Sequence, residues 1–423
     1  MWILKRERDR GRRAWFRGAA LVLVGAGLLS ACDNLLEVEL PTRVPASTLD
    51  NPALAAVLVQ GVVADFECAL ANYIPATALL TDELIDATGW IAVTTWDQRR
   101  IFPDNANLGT SSCTALGYGI YTPLQTARFQ AENVFERIMG FPDAEVPNKN
   151  SLLATAAAFA GYSYTLLGKG FCEMAVDEGP LMTPAQVLAR AEERFSTAIE
   201  LAQAANNTQV LNLARVGRAR VRLDLGKMVE AAADARLVPQ GFVYNATRSA
   251  ANARRWNRIA VDFHRNFFLS VAPNFRNLTV DGRPDPRVPV SDAGRRGHDG
   301  VTPVFTQAKY TAEGDPIPIA TWQEAQLILA EAEGGQAAVD AINRVRATYG
   351  LPAFSSSNPQ EIRTQVIEER RRELFLEGHR LGDMLRYNLP FDTGVTHKGV
   401  PFGDTRCLPL PDVERLNNPN IAS

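Results

Sequence analysis

The side chains that could do chemistry are few and poorly spaced for it. The chain has four histidines, His264, His298, His379 and His397, and no two stand three or four residues apart. That is the separation that sets two imidazoles on one helix face around a metal. Neither HExxH, nor GxSxG, nor a GxxxxGK phosphate loop occurs, so metalloprotease, hydrolase and nucleotide-binding readings lack their working parts. A glycoside hydrolase asks for least, two carboxylates roughly 5 to 9 Å apart across a cleft. Asp82 and Glu83 are the candidates, but neighbours on a helix point about 100° apart and cannot flank one bond. No catalytic residue, metal ligand or cofactor is assigned, and the chain is read as a non-enzyme.

The five cysteines divide into one and four. The basic run Lys5, Arg6, Arg8, Arg10, Arg12, Arg13 and Arg17 precedes an uncharged apolar stretch from Gly18 to Leu29, the pattern of a signal peptide over residues 1–31. The stretch is too short for a finished transmembrane helix, and no later segment is expected to span a membrane. It ends in Leu29-Ser30-Ala31-Cys32, which resembles the bacterial lipobox and marks Cys32 for lipidation. Several acyl chains on one residue anchor stably, since each buried methylene contributes about 0.8 kcal/mol. The other four, Cys68, Cys113, Cys172 and Cys407, are an even number in an exported chain. They allow three disulfide pairings; Cys68 with Cys113 and Cys172 with Cys407 is favoured, the second stapling the C-terminal tail to the body. No CxxC spacing points to zinc or redox chemistry.

Composition suits a folded, exported protein. Of 423 residues 46% are hydrophobic and 22% charged, with a net charge of -3, which supports a large core and provides no global basic field for nucleic acid.

The elements that must carry any site are mostly helices. Residues 32–48, with Leu36, Val38 and Leu40 alternating against Glu37 and Glu39, read as a lipidated tether, and residues 49–423 as the body. Thr183-Pro184-Ala185-Gln186 is a capping box with proline at the first helical position, followed by Leu188, Ala191, Phe195, Ala198 and Ala202 on one face. Leu213, Val216, Ala219 and Leu223 continue the pattern to Gly226, and Ala231, Ala232 and Ala235 follow before Pro239. Small residues such as Gly217 allow close helix pairs, and the whole resembles a tetratricopeptide unit. With Leu124–Met139, Leu152–Leu167 and a further unit around Trp322 to Val345, helical repeats are expected over residues 120–240 and 320–390. Residues 75–110 and 244–318 break the periodicity and carry the ligand-side loops, since long irregular excursions are usually functional.

The C-terminal third holds Trp322-Gln323-Glu324-Ala325-Gln326-Leu327-Ile328-Leu329-Ala330-Glu331-Ala332, Ile342-Asn343-Arg344-Val345-Arg346 and Ile367-Glu368-Glu369-Arg370-Arg371-Arg372-Glu373-Leu374-Phe375-Leu376-Glu377-Gly378-His379-Arg380. With Asp383-Met384-Leu385-Arg386, Leu408-Pro409-Leu410-Pro411, the lipobox and Leu36-Glu37-Val38, these stretches resemble the SusD/RagB family. The resemblance implies an all-α dominated, SusD-like fold of tetratricopeptide-like repeats with loop-rich insertions. It implies a lipoprotein on the extracellular side of the outer membrane that hands an oligomeric nutrient, an oligosaccharide or a peptide, to a SusC-like TonB-dependent transporter. The glutamates and arginines of 368–380 stand three and four apart and are read as ion-pair ladders on a helix.

Sugar rings lay their C–H faces on aromatic rings while amide, carboxylate and guanidinium groups take hydroxyls. On that chemistry Trp90, Trp96 and Arg99 in one irregular segment, and Trp256, Asn266 and Phe275 in the other, are the candidate ligand contacts. The alternatives are a tetratricopeptide protein–protein scaffold at the outer membrane and, behind it, a glycoside hydrolase.

Overall fold

The computed structural model describes residues 46–421; Cys32, the signal peptide and the tether before residue 46 lie outside the described residues. Contacts separate Met1–Asn51 from Pro52–Ser423. Of the first unit, a 3-10 turn at Ala46–Leu49 is described.

The second unit is built on a helical array. Helix α1 (Ala55–Leu80) has only Asp65 and Glu67 as charged residues, and every residue from Phe66 to Leu80 is buried. This corrects two expectations: residues 75–80 are helix rather than loop, and the segment Pro52–Leu80 is long and apolar enough to cross a membrane by length and composition. Here its apolar surface is spent on the core. After the short helix α2 (Ile91–Asp97) come α3 (Tyr121–Gly140), α4 (Lys149–Gly170), α5 (Pro184–Ala204), α6 (Thr208–Asp224) and α7 (Met228–Arg236). The array resumes with α8 (Trp322–Glu333), α9 (Gly335–Thr348), α10 (Pro359–Glu373) and α11 (Arg380–Tyr387). From α3 to α10 each helix packs on the next, and α1 joins the start of the row by packing on α3. The Thr183 capping box at α5 forms in both directions, Gln186 N donating to Thr183 Oγ1 at 3.3 Å and Thr183 N to Gln186 Oε1 at 2.8 Å.

The excursion between α7 and α8 leaves and returns at one place. Strand β2 (Val243–Ala246) pairs antiparallel with β6 (Ile317–Thr321), with Val243 opposite Thr321. Helix α7 therefore packs on α8 as if the two were consecutive. Strand β1 (Leu84–Asp86), which follows α1, pairs antiparallel with β3 (Leu269–Val271) inside the excursion. A hairpin of β4 (Val290–Arg296) and β5 (Pro303–Gln307) lies further along it.

Both favoured disulfides are present, Cys68–Cys113 and Cys172–Cys407. The second is flanked by backbone bonds from Leu408 N to Gly170 O and from Cys172 N to Leu408 O, at 2.8 and 2.9 Å.

The expected ladder on α10 is only partly local. Glu368 does take Arg371 and Arg372 from its own helix. Most of the other partners are distant: Glu369 holds Arg287 and Arg346, Arg370 forks onto Asp383, Arg380 onto Asp82, and Glu377 takes Lys309. These side chains are largely buried, so they tie the excursion and α1 to the C-terminal helices rather than decorating a surface.

Candidate ligand platform

The β1–β3 pairing brings the two loop-rich segments into one face. Beyond the strands, Ala87 N donates to Phe268 O at 2.7 Å, Asp299 N to Ala87 O at 3.0 Å and His298 N to Phe267 O at 2.9 Å. Gly297 sits so close that a Cβ there would lie 2.5 Å from the Ala87 Cβ, so no larger residue fits this junction. Trp90 caps α2 in extended conformation, its N–H donating to Thr88 Oγ1 at 2.9 Å. Its ring rests on Phe268 at 4.8 Å and on the exposed His298 at 5.3 Å between centroids, and it stays 37% exposed beside the 80% exposed Ile91. Phe267, at φ +53°, carries the Arg295 guanidinium over its ring at 3.4 Å.

A charged floor fixes this platform. Lys398 Nζ reaches Asp86 Oδ2 at 2.7 Å, Asp299 Oδ2 at 2.9 Å and the Thr88 carbonyl. Asp86 also accepts from Thr88 N and Thr94 Oγ1, both at 2.8 Å. Burial pushes the Asp299 carboxyl upward, but hydrogen bonds from Thr302 and Val301, with Lys398, outweigh it and hold the group at about 2. Beside it, burial and the nearby Asp86 raise Asp97 to about 8. His397 Nδ1 lies 3.6 Å from Asp97, beyond hydrogen-bond range, while Nε2 meets the Asp86 carbonyl at 2.9 Å. Burial and Lys398 lower the His397 pKa. A cleft of about 550 Å³ opens on this side, lined by Asp82, Asp97, Asn274, Asp392, His397 and Phe402 among others.

The six residues singled out from the sequence separate. Trp90 is on the platform. Asn266 adjoins it in sequence, but its amide is held by Asp262 Oδ1 at 2.9 Å. Trp96 and Phe275 are corrected to core residues: both are fully buried, Trp96 Nε1 donating to Gly117 O at 3.2 Å and Phe275 stacking on Phe375 at 5.0 Å. Arg99 is also buried, donating to the Asp392 carbonyl with its guanidinium over Phe402 at 4.7 Å, so it anchors the wall of the cleft. Trp256 is partly buried in its own turn, with Nε1 on Ala250 O at 3.1 Å and Arg265 over its ring at 4.7 Å. Phe267, Phe268, Arg295 and His298 were not anticipated. Only the adjacent phenylalanines were visible in the sequence, and nothing local tied them to Trp90.

Glu83 is buried and accepts from Leu376 N at 2.9 Å, and Asp82 is held by the Arg380 fork. The two carboxylates weighed for glycoside hydrolysis are thus engaged in holding α1 to the C-terminal region. Among the described residues no group of three or more His, Cys, Asp or Glu is placed to hold a metal ion.

The fold and face define a helical-repeat protein with an aromatic platform on its insertion, and comparison with known proteins gives the class. Residues 324–406 match the model of the SusD family. Among solved structures, a SusD-like carbohydrate binding protein from Bacteroides vulgatus superposes with a TM-score of 0.65 at 15% identity, over 88% of this chain and 97% of that one. A laminarin binding SusD-like protein gives 0.63 at 17% identity, over 88% and 98%. A SusD-like protein from Bacteroides fragilis gives 0.67 at 12%, over 90% and 98%. No curated protein matches the sequence. The SusD/RagB resemblance is borne out in two respects: the fold is SusD-like, and residues 324–406 match the SusD family model.

Proposed function

We propose that this protein captures an oligosaccharide at the Trp90 platform and passes it to a SusC-like TonB-dependent transporter, held by lipid at Cys32 on the outer face of the outer membrane. The observation that carries this reading is the half-exposed Trp90 ring, backed by Phe268 and His298 on a hydrogen-bonded floor. An exposed, rigid aromatic face costs the apolar contact with water that a sugar's C–H face would relieve. The laminarin-binding relative supports the ligand class, and the basic-then-apolar leader ending at Cys32 supports the anchor. The protein performs no bond chemistry in this role; it binds and hands over.

Affinity electrophoresis of the purified protein through gels holding a panel of neutral and acidic polysaccharides tests the platform. Retardation by at least one glycan is expected, and Trp90→Ala should abolish it with little change in Tm. Trp96→Ala should instead lower stability by about 3 kcal/mol or more, as expected of a truncated core aromatic. Retardation undiminished in the Trp90 variant would move the site elsewhere. Co-purification of a large TonB-dependent barrel from native membranes tests delivery.

A further inference from the structure

The platform is bordered by a positive charge with no ion-pair partner among the described residues. Arg295 is exposed, and its one hydrogen bond among the described residues is a long Nε contact to the Arg296 carbonyl, 3.4 Å. It forms no ion pair among the described residues. Its guanidinium is nevertheless placed rather than loose, stacked over Phe267 at 3.4 Å, next in sequence to the Phe268 ring beneath Trp90. Among the described residues Asp86 and Asp299 are paired with Lys398 rather than with Arg295, and Asp292 of the same hairpin accepts from Gly294 N at 2.8 Å. Arg296, its neighbour, spends an N–H on the Val301 carbonyl at 2.8 Å. A guanidinium offers donors in a planar fork that fits carboxylate or sulfate two-point bonding, and a ring under its face fixes its direction.

Resting on the glycan-capture reading, we infer that the oligosaccharide bound at the Trp90 platform is anionic, bearing uronate carboxylates or sulfate esters, with Arg295 as its charge contact. The aromatic face takes a sugar ring and Arg295 takes the acidic group of the same or the next residue. A neutral glucan uses only half of this arrangement.

The test is affinity electrophoresis and calorimetry with polygalacturonate and alginate as uronates, chondroitin sulfate and carrageenan as sulfated chains, and laminarin, xylan and mannan as neutral controls. Binding to a uronate or a sulfated chain is expected, and which of the two is retained identifies the acidic group. Arg295→Gln should weaken that binding roughly tenfold, as loss of one charge-assisted contact does. Arg296→Gln, which removes the same charge from the same strand, should change it by less than about twofold. Raising NaCl to half molar should weaken the wild type more than the Arg295 variant. Binding confined to neutral glycans and lost in Trp90→Ala would overturn the anionic assignment while leaving glycan capture standing. Equal losses from the two arginine variants would overturn it too, showing diffuse attraction without a placed contact. Binding of no glycan at all would remove the capture reading and this one with it.

Discussion

Gly217 on α6 lies so close to Phe195 on α5 that a Cβ at that position would fall 2.4 Å from the ring. Gly161 on α4 meets the same ring, at 2.8 Å for its own missing Cβ. Phe195 is fully buried, with Tyr162 edge-on to it at 4.9 Å between centroids. One phenylalanine thus fills the space that two glycines leave open, and it sets how closely three consecutive helices approach.

Gly217→Ala should therefore destabilise the body although alanine is the better helix former. Helix propensity favours the change by up to about 1 kcal/mol, while forcing the ring out of its seat costs about 1 to 3 kcal/mol. A net loss of stability is expected in urea denaturation. Phe195→Leu in the same background should recover part of it, because the shorter side chain vacates the clash. A Gly217 variant as stable as wild type would mean that the helices do not need this approach.

The sequence made the α5 and α6 pair legible because capping, spacing and small residues are all local signals. The fold class was legible for the same reason. Helix α1 was not, because Cys68 to Leu80 is buried all round and leaves no polar stripe to mark a period. The platform was half legible. Trp90 stood out as an aromatic in an irregular segment, but its exposure depends on pairing with Phe268, far along the chain, and Trp96 six residues later satisfies the same composition argument while lying in the core. Arg295 was hidden among the many arginines of the excursion, and what sets it apart is the combination of exposure, a ring beneath it and no ion pair among the described residues.

Reducing the Cys172–Cys407 bond should loosen the tail that supplies the Lys398 floor. The bond closes a separation of 235 residues, and tail and body are otherwise joined beside it by the paired backbone bonds at Leu408. Loss of a native disulfide commonly costs about 2 to 5 kcal/mol. The Cys172→Ser, Cys407→Ser double variant should show a Tm several degrees lower and faster proteolysis between residues 389 and 421. Unchanged proteolysis there would show that the backbone bonds and side-chain contacts hold the tail without the disulfide.

Arg287 should matter to stability well beyond an ordinary surface arginine. Its guanidinium is buried between Asp285, at 2.8 Å, and Glu369, which also holds Arg346 at 2.7 Å. Arg287→Met leaves Glu369 with one cation, and Asp285 with the Arg372 guanidinium and the backbone N–H of residue 287, both at 3.1 Å. Breaking one partner from such a buried network costs about 3 to 5 kcal/mol. Arg254→Met, which breaks a largely exposed pair with Asp65 at 2.7 Å, should cost less than about 1 kcal/mol. Equal effects from the two variants, read by chemical denaturation, would contradict the distinction between a buried network and an exposed pair.

Stability should fall as pH rises from 6.5 to 8, and Asp97 should account for part of the fall. Burial, reinforced by the Asp86 charge and by Asp392, lifts the Asp97 pKa to about 8, against the pull of Lys398, with His397 facing it at 3.6 Å. Because the folded-state value lies above the unfolded value of 3.8, the contribution is complete below that unfolded value and disappears as pH climbs through the folded one. Glu83 and Glu373, raised to about 7 by burial, act in the same sense. His379 acts oppositely: burial among Arg220, Lys169 and Arg370 lowers it well below 6.5, so its contribution is present above that value and is lost toward acid. The lowered histidines, His379 and His397, lose most of their slope by about pH 7.5, and the difference between wild type and an Asp97 variant isolates the carboxyl. Each raised carboxyl contributes up to about 1.4 kcal/mol per pH unit there. Asp97→Asn keeps the shape without the proton and should flatten the decline by on the order of 1 kcal/mol across the window. Thermal melts of wild type and variant at half-unit steps measure it, and parallel curves would mean that Asp97 stays ionised in the folded protein throughout.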